Sequence, residues 1–256
     1  MAKQKNDTSW GGVAEWYDGH LKGDDTYHAK VIAPNLLRIV APQKKRILEI
    51  GCGEGYFARA FAAAGGAVLG SDIGKELIEI ARKKGGGPIY HVAAADKQSF
   101  IKDASIDTVV AVLTLQNMER IDTVMKEVSR ILKPEGTFVC VINHPAFRIP
   151  KSTHWEFDGK ANTQFRRVDA YLSAQKIPME MRPGERAAGK SGSTTFSFHR
   201  SLQDFMKAFA GAGLSITRLE EWVSHKQSQK GPRAAAEDMA RKEFPLFMCI
   251  ECRKVI

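Results

Sequence analysis

The stretch Leu48-Glu49-Ile50-Gly51-Cys52-Gly53-Glu54-Gly55-Tyr56 joins a short apolar strand, residues 46–50, to a run of helical composition, residues 56–64. Glycine has no Cβ, so Gly51, Gly53 and Gly55 let the backbone turn sharply and come close to a ligand. A strand, a glycine turn and a helix in that order form the entry to a nucleotide-type cofactor site. Asp72, seventeen residues beyond Gly55 at the end of the next strand, is placed to accept hydrogen bonds from both hydroxyls of a ribose.

Outward from this turn the chain alternates strand and helix, the pattern of a parallel sheet covered on both faces. Residues 67–71 form a second strand running into Asp72, and a helix through Leu77, Ile78 and Ile80 stops at Gly85-Gly86-Gly87. Residues 89–93 and 106–113 make the third and fourth strands. Met118, Ile121, Met125, Val128 and Leu132 recur at spacings of three and four on one helix face, which ends at Lys133-Pro134-Glu135-Gly136, and residues 137–142 are the fifth strand. Ser201 can cap a helix carrying Leu202, Phe205, Met206 and Phe209, and residues 214–223 and 244–252 read as the last two strands. The expected fold is therefore α/β, a doubly wound, mostly parallel seven-stranded sheet with its ligand at the carboxyl ends of the strands.

Residues 143–199 show no sustained period, and so long a segment in a compact domain is expected to be a substrate lid inserted after strand 5. Residues 224–242 read as a polar, basic connection punctuated by Gly231-Pro232. The 256 residues are expected to form one domain. Residues 1–44 are its N-terminal cap, with a helix over 29–40; 45–142 are the cofactor-binding core, 143–199 the lid, and 200–256 a last helix and two strands.

Composition narrows the class. With 43% hydrophobic and 26% charged residues, 22 Gly, 10 Pro and 4 Cys, the chain is neither collagenous, disulfide-rich nor disordered. No stretch approaches the roughly 18 consecutive apolar residues of a membrane span, and none follows the lysines of residues 1–7, so a cytoplasmic location is expected. Cys52, Cys140, Cys249 and Cys252 fit reduced core thiols; Cys249 and Cys252 form a lone C-x-x-C whose members face opposite ways on a strand, which argues against a metal site. The net charge of +9 divides into +2 over residues 1–45, 0 over 46–142 and +7 over 143–256, so the surplus that can attract an acidic substrate or nucleic acid is C-terminal.

The glycine spacing is G-x-G-x-G, not the G-x-G-x-x-G of NAD enzymes, and Glu54 stands at the mouth of the helix, where a pyrophosphate needs an undiluted positive dipole. A ligand without phosphates fits better, and neither Glu49 nor Glu54 repels the ribose, adenine, zwitterionic tail or sulfonium of S-adenosylmethionine. Leu48 to Gly55, Ser71-Asp72, Ala95-Asp96, Ile106-Asp107-Thr108-Val109-Val110 and Arg130-Ile131-Leu132-Lys133-Pro134-Glu135-Gly136 resemble the successive motifs of class I S-adenosylmethionine-dependent methyltransferases. The group resembled is the one related to the ubiquinone/menaquinone-biosynthesis enzymes, and the match covers residues 45–142.

The resemblance implies a Rossmann-like fold, S-adenosylmethionine as cofactor and S-adenosylhomocysteine as product. It implies that the loop from Gly51 to Gly55, with Cys52 and Gly53 and the adjoining Glu49, lies against the methionine moiety. Asp72 then binds the ribose, Ile73 flanks the adenine, Asp96 with the Lys97 amide reads the adenine edge, and Val112 offers its carbonyl to the amino group. Tyr17, in Trp16-Tyr17-Asp18, is the expected contact from the N-terminal cap. Two departures stand out: Glu135 replaces the usual second glycine of the turn before strand 5, and Asn117 replaces the His common after strand 4.

Methyl transfer is an in-line displacement, so the protein must align the reactants and exclude water, and no nucleophilic residue is needed. An oxygen acceptor of high pKa needs a base, whereas a carboxylate acceptor needs an arginine to position it. Asn143-His144-Pro145-Ala146-Phe147-Arg148 follows the fifth strand at its carboxyl end, making His144 the first candidate base and Arg148 the first candidate anion clamp. The other reading is a turn in which His144 bonds backbone. His199 ranks behind His144. In the lid, Trp155, Phe165 and Tyr171 are candidate pocket walls, and Arg166-Arg167 can meet an acid. The expected function is methyl transfer to oxygen or nitrogen of a small molecule, acidic ones included. An RNA methyltransferase, which would need an RNA-binding module not recognisable here, and a noncatalytic S-adenosylmethionine-binding protein are the alternatives.

Overall fold

Valine, isoleucine and leucine occupy both faces of the central strands, so each strand needs cover on two sides. A computed structural model describes Gly19, residues 23–181 and residues 193–255. Its strands are β1 (Arg46–Ile50), β2 (Ala67–Asp72), β3 (Ile89–Val92), β4 (Ile106–Val112), β5 (Leu132–Asn143), β6 (Thr153–Asp158), β7 (Thr163–Val168), β8 (Gln175–Met181), β9 (Ser193–His199), β10 (Leu214–Trp222) and β11 (Phe247–Lys254). Its helices are α1 (Ala33–Val40), entered through a π-type turn at His28–Ile32, α2 (Tyr56–Ala63), α3 (Lys75–Lys84), α4 (Ile121–Ile131), α5 (Leu202–Ala210) and α6 (Ala234–Glu243).

Seven strands form one sheet in the order β10-β11-β5-β4-β1-β2-β3, and only β11 runs against its neighbours. Leu48 of β1 lies between Leu69 of β2 and Val109 of β4. Alternation along each strand divides the core into two layers. Leu48, Ile50, Val109, Ala111, Phe138 and Cys140 pack toward α4 and α5, where Met125, Val128 and Phe209 meet them. Ile47, Val110, Val112, Val139 and Val141 pack toward Leu36, Phe57, Phe61 and Ile78 of α1 to α3. The chain leaves β1 toward β2 on one side and returns to β4 on the other. The crevice where an α/β sheet binds its ligand therefore opens at the carboxyl ends of β1 and β4.

The doubly wound, mostly parallel sheet is as expected; three stretches differ. Strand β5 begins at Leu132, which is already extended and pairs with Ile106, so Lys133 to Gly136 form an irregularity inside the strand rather than a turn before it. Glu135 takes φ +61° there, a left-handed conformation that explains why related sequences use glycine at this place. The segment after β5 is not irregular: it folds as two antiparallel hairpins, β6–β7 and β8–β9, with β7 packed on α6. Strands β6 and β7 mix aromatic, charged and small polar residues and bury little, so they lack the apolar period of core strands. Helix α6 lies within the stretch read as a connection, because only Ala236 and Ala240 of it are buried and two small side chains make a weak stripe.

Cys249 and Cys252 belong to opposite core layers, and burial pushes both thiols up to about 12, as expected of inert core cysteines. Among the described residues no helix is long and apolar enough to cross a membrane.

Candidate active site

The turn after β1 is built from close approaches that only glycine permits. Gly51 has φ +64°, and a Cβ there would lie 2.2 Å from the Thr114 hydroxyl. Gly55, at φ +83°, faces the Tyr90 hydroxyl, which would be 2.3 Å from an added Cβ. Asp72 holds the turn from below: its Oδ2 accepts from the Gly53 amide at 2.9 Å and its Oδ1 from the Gly74 amide at 2.8 Å. Burial raises the Asp72 carboxyl above its ordinary range, while the amides of Gly74, Gly53 and Ile73 oppose that shift.

The two glutamates of the turn have different surroundings. Glu54 is buried and ion-paired to Arg59 at 2.8 Å and Lys84 at 2.5 Å, so it braces the entry to α2 instead of facing a ligand. Glu49 is also buried, and its Oε2 has no hydrogen-bond partner. Burial raises its carboxyl well above the usual range, with the Ala58 amide opposing.

Above the turn lies a cavity of about 350 Å³, within the ordinary range for a small-molecule site. It brings together Gly51, Gly53, Asp72, Ile73, Asp96 and Val112, six of the residues expected from sequence. Asp72 and Asp96 supply carboxylates, Leu77 and Val124 supply apolar wall, and Ile73 is left 56% exposed, an uncovered apolar surface against which a flat ring can lie. These features fit a nucleoside with a polar tail. Glu49, Cys52 and Gly55 stand behind the wall, and the Lys97 amide already donates to the Ala94 carbonyl at 3.0 Å. Tyr17 lies outside the described residues. Sequence reasoning missed Thr114, Met118 and Arg120; the only signal for them was their position just after a strand that ends at the crevice.

A second, smaller recess adjoins the first across the one-turn helix Leu115–Asn117. Asn117 lines the cavity, and Gln116 lines the recess together with Asn143, Arg148, Ser197, His199 and Arg200. His199 Nε2 lies 2.8 Å from the Tyr171 carbonyl, which can only accept, so Nε2 carries the proton and Nδ1 is left as the acceptor. The Arg148 guanidinium lies over the Phe247 ring at 5.1 Å. Burial pulls Arg148 below its ordinary value, Tyr27 opposes, and Arg166 adds to the lowering.

His144 lines neither space. Its Nδ1 accepts from the amides of Ala146 and Phe147 at 3.2 and 3.3 Å, and its Nε2 meets Glu221 Oε1 at 2.7 Å. Both ring nitrogens are engaged, which is the turn-holding arrangement; burial lowers its pKa, with Glu221 opposing. Of the two histidines, His199 is the one that reaches a pocket.

Comparison with known proteins bears on this geometry. Residues 48–140 match the model of a methyltransferase domain. The chain is 31% identical over 106 residues to the ubiquinone/menaquinone biosynthesis C-methyltransferase of Rubrivivax gelatinosus, covering 41% of this chain and 42% of that protein. It is 36% identical over 130 residues to the demethylmenaquinone methyltransferase of Chlorobaculum parvum, covering 48% and 54%. The chain thus spans about half the length of these relatives. Among solved structures, an S-adenosylmethionine-dependent methyltransferase from Mesorhizobium loti superposes with a TM-score of 0.67 at 24% identity, over 90% of this chain and 99% of that one.

Two predictions follow from the geometry. Asp72→Asn weakens S-adenosylhomocysteine binding at least ~10-fold, the scale of one charge-assisted hydrogen bond. Because the Asp72 carboxyl sits above its ordinary range, affinity in the parent protein declines on acidification before an exposed aspartate would titrate, and the variant lacks that limb. Isothermal titration across acid to neutral pH checks both, and equal affinity in the variant refutes the assignment. His144→Ala lowers stability by about 1–2 kcal/mol through the lost hydrogen bonds and leaves that affinity unchanged. The folded His144 has a lowered pKa, so its stabilisation is present above the unfolded value of about 6.5 and is lost as pH falls below it. Urea denaturation on either side of that pH shows the difference between the proteins shrinking in acid.

Proposed function

We propose that this chain, whose residues 48–140 match the model of a methyltransferase domain, is a class I, S-adenosylmethionine-dependent methyltransferase that transfers a methyl group to oxygen or nitrogen of a small molecule, releasing S-adenosylhomocysteine. One observation supports this reading: the cavity and the recess lie on either side of the Leu115–Asn117 turn after β4, Asn117 lining one and Gln116 the other, so a cofactor in the first would stand next to an acceptor reaching the second. When bound, S-adenosylmethionine supplies a methyl carbon already activated by its sulfonium.

The chain's own residues position and shield. Asp72 accepts from the ribose hydroxyls while its backbone bonds keep the glycine turn in place. Asp96 and Ile73 hold the adenine, and Val112 and the turn from Gly51 to Gly53 border the amino-acid tail. Strand β9 contributes Ser197, Phe198 and His199 to the recess, so the β8–β9 hairpin acts as the cover that excludes water from the reacting atoms. His199, its Nε2 proton fixed on the Tyr171 carbonyl, takes the acceptor's proton at Nδ1. The Rubrivivax gelatinosus relative is named a C-methyltransferase, which favours a carbon acceptor as the second reading.

Thermal denaturation with S-adenosylmethionine, S-adenosylhomocysteine and NAD in parallel tests the cofactor: ligand at 100 times its Kd stabilises by about 2.7 kcal/mol. A shift with both sulfur ligands and none with NAD is expected; the reverse refutes the reading. With radiolabelled methyl donor and fractionated small metabolites, His199→Asn lowers kcat by about 10²–10⁴-fold while S-adenosylhomocysteine affinity and melting temperature stay near those of the parent. Structural analysis of the labelled product separates oxygen and nitrogen acceptors from carbon.

A further inference from the structure

Charged groups buried in a protein are ordinarily paired, so a cation without a counter-ion marks a place where an anion fits. Arg148 and Arg200 line the recess and Arg166 stands near Arg148, and none of the three has a carboxylate bonded to it among the described residues. Two of them already donate to protein acceptors. Arg200 donates to the carbonyls of Met118 and Glu119 at 2.7 and 2.6 Å, and Arg166 donates to the Phe147 carbonyl at 2.9 Å and the Thr153 hydroxyl at 2.7 Å. Arg148 differs: it is half-buried, its guanidinium lies on the Phe247 ring, and among the described residues its side chain makes no hydrogen bond and no ion pair. The nearby carboxylates are committed elsewhere, Glu221 to His144 and Asp204 to the amide and hydroxyl of Ser201. Glu54, by contrast, draws two cations to itself at the far side of the glycine turn, so the chain does pair its buried charges where no ligand is due.

Two further features sit at the same recess. The Gln116 side chain spends its Nε2 on the Leu113 carbonyl and leaves its Oε1 buried without a partner. The rest of the lining mixes polar residues, Asn143, Ser197, His199 and Arg200, with apolar ones that include Ile142, Phe198 and Phe205. A single free guanidinium has a planar fork that matches one planar carboxylate by two parallel hydrogen bonds. The unpartnered Gln116 oxygen can accept from a hydroxyl or amine on the same molecule, and the recess, about 30 Å³, has room for a carboxylate group while the body of the molecule lies outside it.

Resting on the methyltransferase reading above, we propose that the methyl acceptor is a carboxylic acid with an apolar body, anchored through its carboxylate by Arg148 in the recess beside the Leu115–Asn117 turn. Arg166 and Arg200 raise the local positive potential without touching the carboxylate, and His199 stands on the same wall for the accepting atom. Arg148 is thus a specificity-determining residue: it selects the charge of the acceptor, and the glycine turn selects the cofactor.

The test uses the full chain saturated with S-adenosylhomocysteine and titrates benzoate, its neutral isostere benzamide, and phenyl phosphate, followed by ligand-observed NMR. Benzoate binding at least ten-fold tighter than benzamide and phenyl phosphate is expected. Arg148→Gln raises the benzoate Kd at least ten-fold and leaves benzamide unchanged, and Arg148→Lys, which keeps the charge and loses the fork, falls between. Equal binding of benzoate and benzamide, preference for phenyl phosphate, no benzoate binding, or a benzoate Kd unmoved by Arg148→Gln overturns the proposal. S-adenosylhomocysteine affinity measured on each variant reads the cofactor assignment separately. If it is retained while the benzoate preference is absent, the anchor is wrong and the methyltransferase reading stands; if the parent protein lacks it altogether, that reading fails.

Discussion

The carboxylate of Asp72 is the point on which the rest of the site depends. It accepts hydrogen bonds from the amides of Gly53 and Gly74, one on each side of β2's end, and so ties the glycine turn after β1 to the strand beside it. Charge-assisted hydrogen bonds to a buried acid are stronger than neutral ones, and here they compensate a carboxylate that burial would otherwise protonate. Gly51 then rests directly on Thr114, two residues past the end of β4, so the turn after β1 and the turn after β4 are one packed unit. A side chain at Gly51 would push these two turns apart, and the cavity between them would change shape.

Charge is handled in opposite ways on the two sides of this unit. Behind the turn, Glu54 is enclosed and paired with Arg59 and Lys84, which fixes the start of α2 and removes the acid from the ligand side. In front, beyond the Leu115–Asn117 wall, Arg148 is half-buried against the Phe247 ring and lacks an anion among the described residues. A paired buried charge supports a fold, whereas an unpaired one is tolerated at a cost that a ligand can offset. The +7 surplus over residues 143–256 therefore divides into surface charge and a small set of arginines with a definite location.

The hairpins β6–β7 and β8–β9 follow the fifth strand of the sheet, and β9 walls the recess with Ser197, Phe198 and His199. They add little to the main core; their contacts are directional instead. Arg166 reaches the Phe147 carbonyl, Arg200 reaches across to Met118 and Glu119, and the Tyr171 hydroxyl accepts from the Leu202 amide at the start of α5. His199 owes its tautomer to the same segment, through the Tyr171 carbonyl. Without the hairpins the recess would lose its β9 wall, His199 included.

The sequence by itself determined the sheet, the glycine turn and the strand ends that line the cavity, because these rest on local periodicity and on residues a fixed short distance apart. Apolar residues at both parities of β4 and β5 require cover on two faces, and Gly51, Gly53 and Asp72 are placed by the ends of adjacent strands. The hairpins after β5 and helix α6 were not legible, since Thr153–Asp158 and Ala234–Glu243 bury too few apolar side chains to carry a period. Nor was the choice between His144 and His199: it depends on Glu221 and on Tyr171, 77 and 28 residues away along the chain, which consume ring nitrogens only once the chain has folded. The same holds for Arg148, whose value as an anchor comes from the carboxylates that tertiary structure places elsewhere. Strand and turn chemistry is local and can be read from neighbours, whereas the pairing of a charge or a tautomer is a property of whatever the fold brings alongside it.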